Sequence, residues 1–468
     1  MNYSFQPFGA TSEVTGSKHL FNVGGKYLLL DCGMFQGHRE ETYWRNATLP
    51  FDAKAVDAVI LGHGHFDHCG NLPNLVKSGF AGNIYSTPAT RDIANLILMD
   101  SAHIMAKDYE WLQKKRPNAK AYQPIYEERD VLQTINHFVT FNYGRKFMTE
   151  VGLSATFYDA GHILGSSVVV LEPPEGEDGP RVAFTGDLGR PGMPILRDPD
   201  KLPPLDYLIC EGTYGNRLHE PIEDAQAQLG QVIRETASKG GKIIIPSFAV
   251  GRTQELIYFL HLLKDAEEIP DLDIYVDSPM AVNATSIFKV HQECYDEETH
   301  RAFLEHHRNP FGFEGLHYVS DVSESKLLND RPDPCIIISA SGMCEAGRIL
   351  HHLKNNVTDP RNTILIVGFM ARDTLGRQLA DKQSEVSIFG EKYPLKARVK
   401  ILNTFSAHAD YNDIKNYVAD LDLERLKAVH LVHGESDALD NLRNELLSIG
   451  VDKVEIAEEG KSYFFTSE

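Results

Sequence analysis

Between Leu61 and Gly70 the chain reads Leu-Gly-His-Gly-His-Phe-Asp-His-Cys-Gly, placing His63, His65, Asp67 and His68 in the order His-x-His-x-Asp-His. Histidine fills only 20 of 468 positions, so such a density reads as a metal site and not as a polar loop. The preceding Asp57-Ala-Val-Ile-Leu61 has the apolar character of a buried strand. In extended chain residues i and i+2 point the same way, which aims His63 and His65 at one point. Asp67 and His68 fall where a turn enters the next element and diverge toward a second point. A carboxylate and an imidazole there suit a borderline cation such as zinc.

Other acids and imidazoles stand at strand ends. Residues 19–31 form two strands around Gly24-Gly25, the second ending in Asp31. Residues 151–172 alternate as a hairpin whose tip, Ala160 to Gly165, carries His162. Strands ending near Asp187 and at Glu211 follow, and late in the chain His408 and His433 come after the apolar stretches 399–403 and 428–432. So many polar strand termini imply one rim where ligands converge. One cation is expected to take His63, His65 and His162, the other Asp67, His68 and His433, with Asp187 bridging. Seven donors exceed what one tetrahedral zinc uses, so two zinc ions per chain are expected. Cations bridged at roughly 3.5–4 Å can hold a hydroxide between them for in-line displacement at phosphorus. Asp31 then fixes the tautomer of a ligand histidine. The remaining pair supplies His408 as general acid, oriented by Glu211. Surface or packing roles are expected for most other histidines, including His103, His137, His261, His291, His306, His307, His351 and His352.

The elements that must position these groups divide the chain in three. Pro88 opens a helix to about Ala106, and residues 107–135 are charged and helical. From about 216 short apolar strands alternate with helices, at 242–246, 273–276, 335–339 and 362–367, which implies a mostly parallel sheet covered on both faces. After about 395 site-like residues return, and a closing helix and a strand pair at 452–466 end the chain. The expected organisation is a first domain built from 1–215 and 398–468, interrupted by an inserted domain over 216–397. The net charge of −20 argues against an unselective polyanion binder. Six scattered cysteines without a Cys-x-x-Cys pair suit a reducing compartment. Neither a secretory leader nor an apolar run long enough to span a membrane is visible, and a cytoplasmic location is expected.

These residues resemble the metallo-β-lactamase-fold nucleases that carry a β-CASP domain. Asp31, the His63–His68 block, His162 and Asp187 match the four motifs of the superfamily. Glu211 in Glu-Gly-Thr-Tyr-Gly, His408 in Ser-Ala-His-Ala-Asp and His433 in Val-His-Gly-Glu look like the three motifs special to the β-CASP group. Further stretches, Pro246–Glu255, Asn309-Pro-Phe311, Ser339–Met343, Gly347–Leu353 and Thr374–Arg377, are similar to the RNA 3′-end cleavage and polyadenylation endonuclease subunit and its compact prokaryotic relatives. Gly212 and the stretch 368–373 depart from the usual pattern. The resemblance implies an α/β, four-layer αβ/βα metallo-β-lactamase fold with an inserted parallel-sheet β-CASP domain, in a minimal two-domain form unlike RNase J. It implies two zinc ions and endonucleolytic hydrolysis of RNA in a cleft between the domains, with His433 typical of RNA-directed members. Single-stranded RNA is the expected partner, no membrane is, and a homodimer is compatible. Candidate substrate contacts are Arg252, Arg348, Arg372 and Arg377, together with Ser341 and Gly342, whose loop of small residues lets backbone N–H groups approach a phosphate. The competing readings are a small-molecule hydrolase, which leaves the insertion idle, and a non-catalytic scaffold, which has no need of a complete ligand set.

Overall fold

The computed structural model describes residues 3–37, 39–115, 123–305, 309–368, 370 and 374–466. The chain divides into two compact units. Unit 1 comprises Met1–Pro191, Asp198–Leu218 and His408–Glu468, and unit 2 comprises Gly192–Arg197 and His219–Ala407.

In unit 1 the strands are β1 (Tyr3–Pro7), β2 (His19–Val23), β3 (Lys26–Leu30), β4 (Val56–Ile60), β5 (Asn83–Ser86), β6 (Phe138–Thr140), β7 (Phe147–Met148), β8 (Ser154–Asp159), β9 (Ser167–Glu172), β10 (Val182–Phe184) and β11 (Tyr207–Glu211). Unit 2 holds β12 (Ile243–Pro246), β13 (Asp273–Val276), β14 (Leu316–Tyr318), β15 (Cys335–Ser339), β16 (Thr363–Ile366), β17 (Glu385–Ile388), β18 (Glu391–Pro394) and β19 (Arg398–Ile401). Unit 1 then resumes with β20 (Ala428–Val432), β21 (Val454–Ile456) and β22 (Tyr463–Phe465).

Unit 1 is built on two sheets, ordered β22-β1-β2-β3-β4-β5-β6 and β21-β20-β11-β10-β9-β8-β7. Phe5, Phe21, Leu28 and Leu30 of the first meet Phe157, Val169, Leu171 and Phe184 of the second in one apolar core. The outer face of the second sheet packs through Val168, Leu208 and Val429 against helices Tyr411–Ala419 and Ser436–Ser448. Strands covered on both faces read as apolar runs, as residues 168–171 of β9 do, and β20 keeps the pattern except at His430. The two sheets with helices outside give the layered α/β architecture expected of unit 1. The strand pair expected at 452–466 is not a pair: β21 lies parallel to β20 in one sheet, and β22 runs antiparallel to β1 in the other. The helix from Pro88 runs on to Lys115, past the stretch where its face is buried.

Unit 2 is centred on a six-stranded sheet, β14-β13-β15-β12-β16-β19, parallel at every pairing. Its core, with Ile244, Ile337, Ile364 and Leu353, is separate from those of unit 1. Residues 398–401, expected in the first domain, are β19 and pair with β16 inside this sheet. The chain re-enters unit 1 at His408. Among the described residues no helix is long and apolar enough to cross a membrane.

Candidate metal centre

All the candidate metal and catalytic residues lie in unit 1, most of them at or just after the ends of strands from both of its sheets, while His408 stands where the chain re-enters the unit. His63 and His65 follow β4, and Asp67 and His68 sit in the short helix Phe66–Cys69. His162 is at the tip of the β8–β9 hairpin, Asp187 follows β10, Glu211 ends β11, and His433 follows β20. Asp31 and His433 adopt φ of 59° and 51°, a conformation uncommon for residues with a Cβ and frequent where function constrains the backbone. Gly33 and Gly189 are required by close approach. A Cβ on Gly33 would stand 1.5 Å from the Asp67 carbonyl oxygen, and one on Gly189 would stand 2.0 Å from the Gly161 carbonyl carbon. The first contact seats the His-rich turn, the second the His162 tip.

Two donor groups result. In one, His65 Nδ1 is 3.1 Å from His63 Nε2 and 3.2 Å from His162 Nε2, while Asp187 Oδ2 is 3.4 Å and 3.6 Å from those two Nε2 atoms. In the other, His68 Nε2 is 3.1 Å from His433 Nε2 and 3.2 Å from Asp187 Oδ1, and Asp67 Oδ2 is 3.5 Å from His433 Nε2. The two oxygens of Asp187 therefore face different groups. Donors about 2.0–2.1 Å from a tetrahedral zinc stand roughly 3.3–3.4 Å from one another, so these separations fit a cation in each group. The donor set, imidazoles with a few carboxylates, fits the same ion.

The electrostatics agree. Burial holds His63 well below the ordinary histidine range and pushes His65 down to about 4, so both imidazoles are neutral, the state in which they coordinate. Burial works against charge on Asp187 too, yet His433, His68 and His63 hold it well below the usual carboxylate range. His68 is pushed well above its ordinary value because Asp187 and Asp31 outweigh burial. Positive charge is thus favoured next to His68 Nε2, where a cation would take the proton's place.

Supporting residues fix the rings. Asp31 Oδ2 stands 2.7 Å from His68 Nδ1 and accepts from Ser17 Oγ at 3.2 Å, and its Oδ1 accepts from the Gly62 N–H at 2.9 Å. His433 Nδ1 stands 3.0 Å from Thr213 Oγ1. Neither hydroxyl was singled out in the sequence, although Thr213 lies inside the quoted Glu-Gly-Thr motif. Asp187, Glu211 and His408 form a third cluster of potential donors. Glu211 is already engaged there: Oε1 accepts from Leu188 N–H at 2.6 Å and Oε2 from Thr213 N–H at 3.1 Å. His408 Nδ1 is 3.1 Å from Glu211 Oε1, its Nε2 is 4.0 Å from Asp187 Oδ2, and its side chain is 21% exposed. Burial lowers the affinity of His408 for a proton, but Glu211, with Asp187 and Asp67, overrides it and pushes the imidazole up to about 9.

The candidate substrate residues lie in unit 2, and most are committed within it. Arg252 pairs with Glu255 on its own helix, Arg252–Asp265, and its guanidinium lies 5.7 Å from the Phe405 ring centroid. Arg348 donates to Asp277 Oδ1 at 2.6 Å and to the carbonyls of Val319 and Ser320 at 3.2 and 2.5 Å. Both guanidiniums thus pair with buried or partly buried carboxylates of their own unit. Arg377 is half-exposed and donates to Asp381 Oδ2 at 3.1 Å. The Ser341 hydroxyl accepts from the Glu345 and Ala346 N–H groups at 3.2 and 3.3 Å, closing its own loop. Gly342 carries the Phe248 ring against it, with an added Cβ only 2.8 Å from Phe248 Cδ2. Arg372 lies outside the described residues, as do His306 and His307. His352, expected to pack or face solvent, is buried 2.6 Å from Asp277 Oδ2.

Comparison with known proteins agrees with this geometry. Residues 19–246 match the metallo-beta-lactamase superfamily, 253–379 the Beta-Casp domain, and 392–456 the Zn-dependent metallo-hydrolase RNA specificity domain. A ribonuclease of Thermus thermophilus is 38% identical, over 97% of this chain and 98% of its own length. Transcription termination factor FttA of Methanosarcina mazei is 31% identical over 94% of this chain and 68% of its own. Endoribonuclease YSH1 of Yarrowia lipolytica is 29% identical over 95% of this chain, which spans only 52% of that protein. A crystal structure of a protein of unknown function from Enterococcus faecalis shares the fold, with a TM-score of 0.56 and 13% identity over 99% of this chain and 100% of that one. The donor geometry and the matched families together give the protein a metal cofactor. At 38% identity across nearly the whole of a ribonuclease, and with both of the family's domains matched, the chain belongs to the β-CASP ribonucleases of the metallo-β-lactamase superfamily.

Proposed function

We propose that the protein is a zinc-dependent endoribonuclease that hydrolyses phosphodiester bonds of single-stranded RNA with two zinc ions per chain. The observation that carries the reading is the division of Asp187, whose Oδ2 faces His63 and His162 while Oδ1 faces His68. His63, His65 and His162 would hold one ion, Asp67, His68 and His433 the other, and Asp187 both. Bound there, the ions supply Lewis acidity toward a phosphate oxygen and lower the pKa of water for in-line attack.

The chain's own residues do the rest. Asp31 takes the Nδ1 proton of His68 in a hydrogen bond and leaves Nε2 facing the metal position. Thr213 meets His433 Nδ1 in the corresponding way. Glu211, itself held by two backbone N–H groups, orients His408 through Nδ1. His408 Nε2 then donates a proton to the departing ribose 3′-oxygen, a poor leaving group as an alkoxide. The expected products carry a 5′-phosphate and a 3′-hydroxyl. Arg377 and Arg372 are retained as candidate RNA contacts.

Incubating purified protein with internally labelled single-stranded RNA tests the reading. Internal cuts that stop with a chelator and return with zinc are expected, alongside two zinc equivalents by elemental analysis. Cleavage by metal-free protein, or one zinc per chain after reconstitution, overturns it.

A further inference from the structure

Strand β2 faces the core with residues 19, 21 and 23. Two of these are Phe21 and Val23, as a core strand demands, and the third is His19. Its imidazole is fully buried, with ring centroids 5.5 Å from those of Phe5 and Phe184. Burying a polar ring among phenyl groups is unfavourable unless its hydrogen bond is used. The bond is there: His19 Nε2 lies 3.2 Å from Ser17 Oγ, and Ser17 Oγ lies 3.2 Å from Asp31 Oδ2. That same oxygen is 2.7 Å from His68 Nδ1.

We propose that Ser17 and His19 are positioning residues for the metal position of Asp67, His68 and His433, the outer half of a chain His19–Ser17–Asp31–His68 that sets the direction of every proton in it. The inference rests on His68 being a metal ligand. A carboxylate oxygen accepts, so Ser17 gives its hydroxyl hydrogen to Asp31. Ser17 Oγ must then accept, which requires the proton of His19 on Nε2. His19 Nδ1 has no hydrogen-bond partner, and a bare buried acceptor is tolerated better than an orphaned N–H. Burial keeps the ring neutral, with one proton to place. With both hydrogens directed inward, the Asp31 carboxylate is oriented toward His68 Nδ1, so His68 carries its proton there and leaves Nε2 for the metal. The backbone supports the same path, because the Ser17 N–H donates to the Asp67 carbonyl at 2.9 Å and the Cys32 N–H to the His68 carbonyl at 2.8 Å.

The test compares zinc affinity by chelator competition in Ser17→Ala, His19→Phe, His19→Gln and His68→Ala, with folding checked by circular dichroism. Outer partners of ligand histidines typically change metal affinity 10- to 100-fold. Ser17→Ala and His19→Phe are expected to hold one of two zinc equivalents about tenfold more weakly, whereas His19→Gln, which keeps an N–H donor, recovers most of the loss. Imidazole 15N spectra of His68 should show the Nδ1–H tautomer weakened in the first two variants and restored in the third. His19→Gln behaving like His19→Phe overturns the proposal in favour of packing alone, as does wild-type zinc affinity in all three. His68→Ala losing one zinc while Ser17→Ala and His19→Phe lose none defeats only the chain. Retention of both zinc ions by His68→Ala defeats the ligand assignment and the chain with it.

Discussion

His408 and Glu211 show what a residue's neighbours permit it to do. Each Glu211 oxygen already accepts a backbone N–H, so the carboxylate is fixed before it meets His408 Nδ1. The imidazole in turn stands beside Asp187, outside the two groups of donors. His408→Ala is therefore expected to retain both zinc ions and RNA binding while cleaving on the order of 10²- to 10⁴-fold more slowly, the usual contribution of a general acid. Glu211→Gln should show a milder form of the defect. Loss of a zinc in His408→Ala would make it a ligand, and near-normal cleavage would remove it from the mechanism. Spacing made His63, His65, Asp67 and His68 legible in the sequence, because few other reasons put four such groups so close together. Ser17, Thr213 and His19 were not legible: hydroxyls are common, and only the fold shows which one meets a ligand ring.

Strands and their turns decide where those residues point. The His162 tip and the turn after β10 touch through Gly189, with no room for a Cβ beside Gly161. Gly189→Ala should push the tip away and weaken the group formed by His63, His65 and His162 before the other. Zinc stoichiometry falling toward one, with the folded circular dichroism spectrum kept, is the expected result, and two tightly held zinc ions would show that the tip yields without cost. A second expectation concerns β20. Burial pushes His430 down to about 4, from 6.5 in an exposed histidine, with Glu455 3.8 Å away too distant to reverse it. A depressed folded pKa means that the unfolded chain takes up the proton first as pH falls. Stability from this group is complete above about pH 6.5 and is lost toward pH 4, by roughly 3 kcal/mol at most. Urea titrations of wild type and His430→Leu should diverge across that window, and a constant difference from pH 7 to pH 4 would count against it. Apolar runs made β4, β9, β12, β15 and β20 legible. Partnership was not, since β21 and β22 follow each other in sequence yet join different sheets. Likewise β19 looks like any short strand before a histidine, and only its pairing with β16 assigns it to unit 2.

At the scale of the whole molecule, the change from site-bearing strands to strand–helix alternation revealed an insertion, but its edges depend on contacts distant in sequence. The formal charge of −20, together with the internal pairing of Arg252 and Arg348, argues for a small set of phosphate contacts and not a broad basic surface. RNA binding should therefore weaken with salt at a log–log slope no steeper than about −3, each single-strand phosphate contact contributing roughly −0.7. A slope twice as steep would mean that RNA meets a broad basic surface of the protein.

Metal should also divide the stability of the chain. Unit 1 gathers Asp31, Asp67, Asp187 and Glu211 around buried imidazoles, and binding in the folded state alone stabilises that unit by mass action, about 4 kcal/mol at a thousand times Kd. The described core of unit 2 is largely aliphatic and contains none of the candidate ligands. Chelation is thus expected to lower amide hydrogen-exchange protection in the strands flanking the site, β4, β10 and β20, while β12, β15 and β16 keep theirs. Adding zinc back should restore the first set. Equal loss in both sets would mean that the two units unfold as one, and unchanged protection throughout would mean that the site is held by the fold without help from the metal.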